Sequence, residues 1–165
     1  MRKKTRSLTR AAMIAALYAV LTLILQPFSF GAVQLRVSEA LTILPMVMAD
    51  AVPGLALGCL LANLLCGAMW YDVVFGTLAT LLAAVMTRKL KNSSFVAASM
   101  PVLFNALIVG PVVYFAYSKG PGGMFSLPLL LIDMLTVGIG EAIACYVLGG
   151  VALSGAKRLP KKYLL

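Results

Sequence analysis

The succession of long apolar runs along this chain limits most strongly what it can fold into. The runs cover Leu8–Gln26, Ala40–Met69, Val73–Thr87, Phe95–Tyr117 and Leu127–Val151. Apolar residues make up 62% of the chain and charged residues only 12%, whereas a soluble domain is about 45–50% apolar and about a quarter charged. A spanning helix needs about 20 residues, so a chain of 165 residues has no room for a large soluble domain. We expect one membrane domain over residues 1–165.

The second apolar run is interrupted near its middle by Asp50-Ala51-Val52-Pro53-Gly54. Proline and glycine are the strongest local breakers of a helix. Hydropathy alone leaves open whether this run forms one helix or two.

The positions of the basic residues decide between these two possibilities. Twelve of the 14 fall into three clusters, which are Arg2, Lys3, Lys4, Arg6 and Arg10; Arg88, Lys89 and Lys91; and Lys157, Arg158, Lys161 and Lys162. The positive-inside rule places all three clusters in the cytoplasm, so an even number of crossings separates them. The second run is therefore expected to be a hairpin of short helices that turns at residues 50–54. The predicted fold is an all-α integral membrane protein with six transmembrane helices and both termini in the cytoplasm, by default in a bacterial plasma membrane.

Several kinds of chemistry are not expected of this chain. It contains no histidine, which removes histidine-based acid–base catalysis and metal ligation. The cysteines Cys59, Cys66 and Cys145 lie inside apolar runs without a C-x-x-C pair and are interpreted as packing residues. The phosphate-binding pattern G-x-x-x-x-G-K-[ST] is absent. We therefore expect no enzyme activity, no cofactor and no metal site.

Small residues on the first span form a strip at helical spacing. Ala11, Ala15 and Ala19 are four residues apart, with Ala12 and Ala16 beside them. Such strips let helices approach closely in lipid. Internal packing and docking of another protein both fit this pattern.

Polar side chains lie mainly in the outer half of the predicted bundle, which favours a pocket open to the outside over a channel. Polar residues inside a membrane are costly and indicate a functional site. The candidates are Gln34, Arg36, Glu39, Asn63, Trp70, Asp72, Asn105, Tyr114, Asp133 and, near the midplane, Glu141.

Several of these candidates have simpler interpretations. Trp70 and Tyr114 suit an interfacial aromatic belt, and Asp72 suits a helix N-cap. Arg36 and Glu39 are spaced to pair with each other, and the asparagines suit interhelical hydrogen bonds. Glu141 is the hardest to explain without a function.

Three segments resemble the QueT family. They are Val33–Leu41 with Leu44-Pro45, Asp72–Thr80 and Val137–Glu141, and the resemblance extends over essentially the whole chain. It implies the substrate-binding (S) component of an energy-coupling factor (ECF) transporter. Such components have a six-helix fold and dock on a transmembrane coupling protein with two ATPases. The docking strip of the family has the form Ala-x-x-x-Ala, which Ala12 and Ala16 match, with Ala15 and Ala19 nearby.

The implied substrate is a queuosine precursor, a 7-deazaguanine base such as preQ0, preQ1 or queuine. A carboxylate such as Glu141 or Glu39 can accept the two adjacent N–H donors of the base. Gln34, Arg36, Asn63 or Asn105 can donate to its carbonyl, and Trp70 or Tyr114 can stack on its ring. Asp72 or Asp133 can meet an aminomethyl cation.

Other functions remain open from the residues alone. The chain could be an S component for another vitamin-like substrate, or a proton-coupled secondary transporter that uses Glu141. The basic termini fit orientation and anionic membrane lipid better than nucleic acid.

Overall fold

The chain forms a helical bundle, which a computed structural model describes over residues 2–26, 36–120 and 122–158. These ranges contain six helices and no strand. The helices are α1 (Arg2–Ile24), α2 (Val37–Met46), α3 (Ala51–Leu65), α4 (a π-helical turn Asp72–Gly76 followed by Thr77–Lys89), α5 (Ser94–Ser118) and α6 (Leu127–Lys157). The predicted all-α fold is confirmed.

Three of these helices have the length and apolar composition needed to cross a membrane. They are Lys4–Ile24 within α1, Ser94–Ser118 and Leu127–Lys157. The apolar helices α2 and α3 are shorter. Because α2 is a 3₁₀ helix of 10 residues with a rise of about 2 Å per residue, its length of about 20 Å falls short of the ~30 Å hydrocarbon core.

The second apolar run folds as two short helices, as the sequence predicts, but its turn lies earlier than expected. The chain turns between Met46 and Ala51, whereas Pro53 and Gly54 lie in the first turn of α3. Proline is tolerated there because the first N–H groups of a helix have no intrahelical acceptor.

Helix α2 lies at the centre of the bundle. It contacts each of the other five helices, and all its residues from Ser38 to Met46 are buried. The polar residues Ser38, Glu39 and Thr42 of α2 would be unfavourable in lipid, which accounts for this buried position. The polar residues of α2 are therefore held in the interior.

Helices α1 and α3 pack at very short range. A Cβ atom at Gly54 would lie 2.7 Å from the Ala11 carbonyl oxygen, and one at Gly58 would lie 2.7 Å from Tyr18 Cβ. Only glycine permits this approach.

This packing divides the alanine strip that the sequence predicts as a docking surface. Ala15 and Ala19 are buried against the neighbouring helices, so they do not lie on the surface of the bundle. Ala12 and Ala16 are exposed. Ala12 and Ala16 lie on a different face because each follows Ala11 or Ala15 by one residue, a rotation of about 100° around α1.

Polar contacts secure the end of the bundle where the basic clusters lie. Asp50, at the turn before α3, accepts a hydrogen bond of 2.5 Å from Ser7 and pairs with Arg10 at 3.4 Å. Arg88 donates to the carbonyl oxygens of Pro45 and Met46 at 3.0 and 3.2 Å. These contacts anchor the C-terminal end of α2, while its N-terminal end points to the polar interior.

Candidate functional site

A cluster of buried polar side chains lies among α2, α3, α4, α5 and α6. No member is more than 5% exposed. The members are Arg36, Glu39, Asn63, Asp72, Asn105 and Glu141, which are six of the ten residues predicted from the sequence. Five helices contribute to this cluster, which lies close to the N-terminal end of α2.

Glu39 is fixed at the start of α2 by donors from two other helices. The Tyr18 hydroxyl on α1 donates to Oε1, and the Thr80 hydroxyl on α4 donates to the same oxygen at 3.3 Å. The second oxygen, Oε2, is buried without a hydrogen-bond partner among the described residues. Glu39 therefore keeps one acceptor available inside the protein.

Glu141 lies across the cluster on α6. Its Oε1 accepts a hydrogen bond of 3.3 Å from the Cys145 thiol, which is a weak donor. Glu141 lines a small cavity together with Arg36, Asn105, Val109 and Val137. The buried Asn105 side chain lies beside Glu141 at this cavity and interacts with its carboxylate. An acceptor oxygen and an amide donor thus border the same space.

The cavity itself is small in this structure. Its volume is about 10 Å³, which is close to the minimum that holds one water molecule. A larger ligand therefore enters only when the surrounding side chains or helices move apart.

Asp72 joins the cluster from the start of α4. Its Oδ2 accepts a hydrogen bond of 2.8 Å from the Tyr117 hydroxyl, and its carbonyl oxygen accepts one of 3.1 Å from Asn63. The interpretation of Asp72 as an N-cap is wrong, because the helical backbone begins at Trp70 and the Asp72 side chain makes no capping bond. Tyr117 holds the carboxylate inside the bundle instead.

Gly76 leaves room for the cluster beside α4. A Cβ atom here would lie 3.1 Å from Asn63 Nδ2 and 3.8 Å from Arg36 Nη1. This glycine lets both side chains approach the helix.

Most of the buried ionisable residues are acidic. In the ranges 2–26, 36–120 and 122–158, the buried acids are Glu39, Asp72, Asp133 and Glu141, and Arg36 is the one buried basic residue. Arg36 interacts electrostatically with the three acids of the cluster. The interior therefore holds more acidic than basic groups.

The remaining predicted residues do not join the cluster. Tyr114 is fully buried, but its hydroxyl accepts a hydrogen bond of 2.7 Å from the backbone N–H of Ser126. Two phenylalanine rings, Phe115 and Phe125, pack against it. Tyr114 thus positions the start of α6. Asp133 is buried on α6, and within the described chain no hydrogen bond to its Oδ2 is present.

Trp70 lies on the outside of the bundle. It is 70% exposed and borders an apolar groove of about 570 Å³ with Phe75 and Phe115. Trp70 therefore lies apart from the buried cluster. Gln34 lies outside the described residues.

Four members of the site were not selected from the sequence. Tyr18, Thr80 and Tyr117 donate to its carboxylates, and Cys145 donates to Glu141. The sequence contains a feature that could have identified two of them. Tyr18 is a polar side chain within a spanning helix, and Cys145 follows Glu141 by four residues on the same helical face.

The helices are irregular where they carry site residues. The π-helical turns Asp72–Gly76, Asn105–Val109 and Ile143–Leu148 contain Asp72, Asn105 and Cys145. Single π-turns occur frequently at functional sites because they redirect side chains. This irregularity is a second, independent mark of the site.

Comparisons with known proteins identify relatives of the chain. A family model described as QueT transporter matches residues 8–158. The Queuosine precursor transporter QueT of Lactococcus lactis subsp. cremoris (strain MG1363) is 35% identical over 82 residues. That match covers 48% of this chain and 48% of the relative, so it spans about half of the length of each. No solved structure matches the chain.

Proposed function

The chain belongs to the QueT transporter family, and we propose that it is a membrane subunit that binds a queuosine precursor. The ligand would be a 7-deazaguanine base such as preQ0, preQ1 or queuine. The observation that supports this proposal most directly is the buried juxtaposition of Glu141 and Asn105.

The chemistry of that pair fits one edge of a 7-deazaguanine. The base presents an N–H and an exocyclic amine side by side, with a carbonyl next to them. A carboxylate accepts both donors at once, and an amide or guanidinium donates to the carbonyl. In this proposal Glu141 binds the donors, and Asn105 and Arg36 bind the carbonyl. Glu39, held by Tyr18 and Thr80, orients Arg36 from the other side.

Equilibrium binding tests the proposal. Purified protein in lipid nanodiscs would be titrated with a radiolabelled queuosine precursor. We expect saturable binding with a Kd in the micromolar range or below, because a few desolvated charge-assisted hydrogen bonds supply several kcal/mol. Asp50→Asn, which changes an acid outside the cluster, serves as the control and should bind normally. A lack of saturable binding at micromolar concentration would contradict the proposal.

Transport would require partner proteins. The chain contains no G-x-x-x-x-G-K-[ST] motif for ATP. We propose that it is the S component of an ECF transporter and acts with a transmembrane coupling subunit and two ABC ATPases. In this arrangement it crosses a bacterial plasma membrane six times, with both termini in the cytoplasm.

The exposed face of α1 is the proposed docking surface for the coupling subunit. The small side chains of Ala12 and Ala16 are exposed and leave this part of the α1 surface flat. The neighbouring Met13 and Leu17 are 67% and 48% exposed. Ala12→Trp or Ala16→Trp should abolish uptake into cells, because a bulky ring prevents close approach of a second helix. Ligand binding by the purified subunit should stay unchanged, since these residues lie outside the cluster.

A matched substitution makes the docking test specific. Val147→Trp places the same ring on an exposed position of α6, where Val147 is 61% exposed, and should leave uptake intact. Equal loss of uptake in the α1 and α6 variants would contradict a docking role for α1.

A further inference from the structure

The apolar groove beside Trp70 lies between α4 and α5, apart from the buried cluster. Its volume of about 570 Å³ is within the range of pockets that hold small molecules. Helix α4 contributes Phe75 and Leu78, and α5 contributes Leu107 and Phe115. Every side chain that lines the groove is apolar or aromatic, so its surface suits a hydrocarbon rather than a polar base.

The length of the groove matches one leaflet of a bilayer. Its lining on α5 extends from Leu107 to Phe115, which is eight residues at a rise of about 1.5 Å each, or about 12 Å. One leaflet occupies half of the ~30 Å hydrocarbon core, or about 15 Å. A single acyl chain that enters from the headgroup level can therefore lie along the groove and end near the bilayer midplane.

A cation lies at one end of the groove. Lys119 Nζ is 5.7 Å from the centroid of the Phe115 ring, at the end of α5 that is distant from the basic clusters. Besides those clusters the sequence contains two basic residues, Arg36 and Lys119, and Arg36 is buried. Trp70 and Tyr71 line the same end of the groove, and such rings prefer the headgroup level of a membrane. An ammonium group at this level attracts a lipid phosphate.

We infer that the groove binds one acyl chain of an anionic phospholipid, and that Lys119 binds the phosphate of its headgroup. The lipid belongs to the leaflet opposite the basic clusters. This site is independent of the proposed function, since it shares no lining residue with the cavity beside Glu141.

The bound lipid would support the buried cluster from outside. The π-helical turns Asp72–Gly76 and Asn105–Val109 contribute Phe75 and Leu107 to the groove. The same two turns contribute Asp72 and Asn105 to the cluster. A chain seated in the groove therefore packs against the outer side of the segments that carry the site.

Fluorescence quenching tests this inference, because Trp70 is the one tryptophan of the chain and lines the groove. Purified protein in detergent would be titrated with phosphatidylglycerol brominated on its acyl chains, which quenches tryptophan on contact. We expect saturable quenching at one lipid per protein. Brominated phosphatidylcholine, which has no net charge, should bind about fivefold more weakly, the factor that one lysine near a membrane surface contributes.

Three results of this titration would overturn the inference. They are quenching that rises linearly without saturation, equal affinities of the two lipids, and displacement of the lipid by an equal concentration of inorganic phosphate. The last result would assign Lys119 to a free anion.

Variants locate the lipid. Lys119→Gln should bring the two affinities together, whereas Lys91→Gln, at an exposed lysine after α4, should keep the preference. Val112→Phe fills the groove and should weaken binding of both lipids, and Val147→Phe, on an exposed position of α6, should not. Thermal unfolding checks that each variant is folded. An unchanged preference in Lys119→Gln, or wild-type binding in Val112→Phe, would overturn the assignment. Recovery of Trp70 fluorescence on addition of a queuosine precursor would assign the groove to that ligand instead.

Discussion

At the scale of single residues, the buried Glu39 and Glu141 differ in the strength of the hydrogen bonds that hold their carboxylates. Glu39 is held by the Tyr18 and Thr80 hydroxyls from two helices. Glu141 accepts a hydrogen bond from the Cys145 thiol, a weak donor that a ligand can displace. We therefore propose that Glu141 is the acid that binds the ligand reversibly and that Glu39 shapes the site.

Replacement of Glu141 tests this division. Glu141→Gln keeps the side-chain shape but turns a double acceptor into a mixed donor and acceptor. We expect ligand affinity to fall about 10- to 100-fold, as the loss of a charge-assisted hydrogen bond implies. Cys145→Ala should change affinity by less than about threefold, since it removes only the weak donor. Titration calorimetry of both variants checks this, and wild-type affinity in Glu141→Gln would contradict it.

At the scale of helices, α1 and α3 form a very closely packed pair. Gly54 and Gly58 bring α3 against Ala11 and Tyr18. The same helix α1 carries Tyr18, which binds Glu39, and Ala12 and Ala16 on its exposed face. The position of α1 thus affects both the site and the proposed docking surface.

A methyl group at this contact should destabilise the protein. Gly58→Ala places a Cβ atom 2.7 Å from Tyr18 Cβ, and overpacking of this kind costs about 1–3 kcal/mol. We expect a lower midpoint temperature in a thermal unfolding assay in detergent. Gly155→Ala on α6 is the matched control, since no atom lies within 4 Å of its Cβ position. That change should be neutral or slightly stabilising, and an equal effect of both variants would contradict the packing account.

At the scale of the whole molecule, the charge distribution predicts which loops face the cytoplasm. Basic residues cluster at both ends and after α4, and the positive-inside rule places these segments on one side. The loop before α6 is then on the opposite side.

Thiol labelling in intact cells checks this orientation. In a Cys66→Ser background, Lys91→Cys should be protected from a membrane-impermeant maleimide, and Met124→Cys should be labelled. Both positions are exposed, and Met124 is 93% exposed, so accessibility to solvent does not limit the reaction. Labelling of both cysteines, or of Lys91→Cys alone, would contradict the predicted topology.

Much of this architecture could be predicted from the sequence. The apolar runs predicted the helices, and the positions of the basic clusters predicted that the second run forms a hairpin of two short helices. Six of the candidate site residues come together because polar side chains are unfavourable in lipid and are more stable when they contact one another inside the bundle. These features depend on local composition, which a single sequence records.

The missed features depend on how helices contact one another. Hydropathy does not distinguish a helix that faces lipid from one surrounded by protein, so α2 was not expected at the centre of the bundle. The spacing of Ala15 and Ala19 defines a face but not the neighbour that covers it, which proved to be α3 and α2. The sequence also does not show that Tyr114 packs against Phe115 and Phe125 or that Trp70 lies on the outside of the bundle.

The central claim concerns where the ligand binds, and a ligand-bound structure tests it most directly. A crystallographic or cryo-EM structure with a 7-deazaguanine should show the base between Glu141 and Asn105, with the present cavity of about 10 Å³ enlarged to receive it. The base edge should lie within hydrogen-bond distance of the Glu141 carboxylate. A base bound in the apolar groove beside Trp70 and Phe115, with the buried cluster unchanged, would contradict the account.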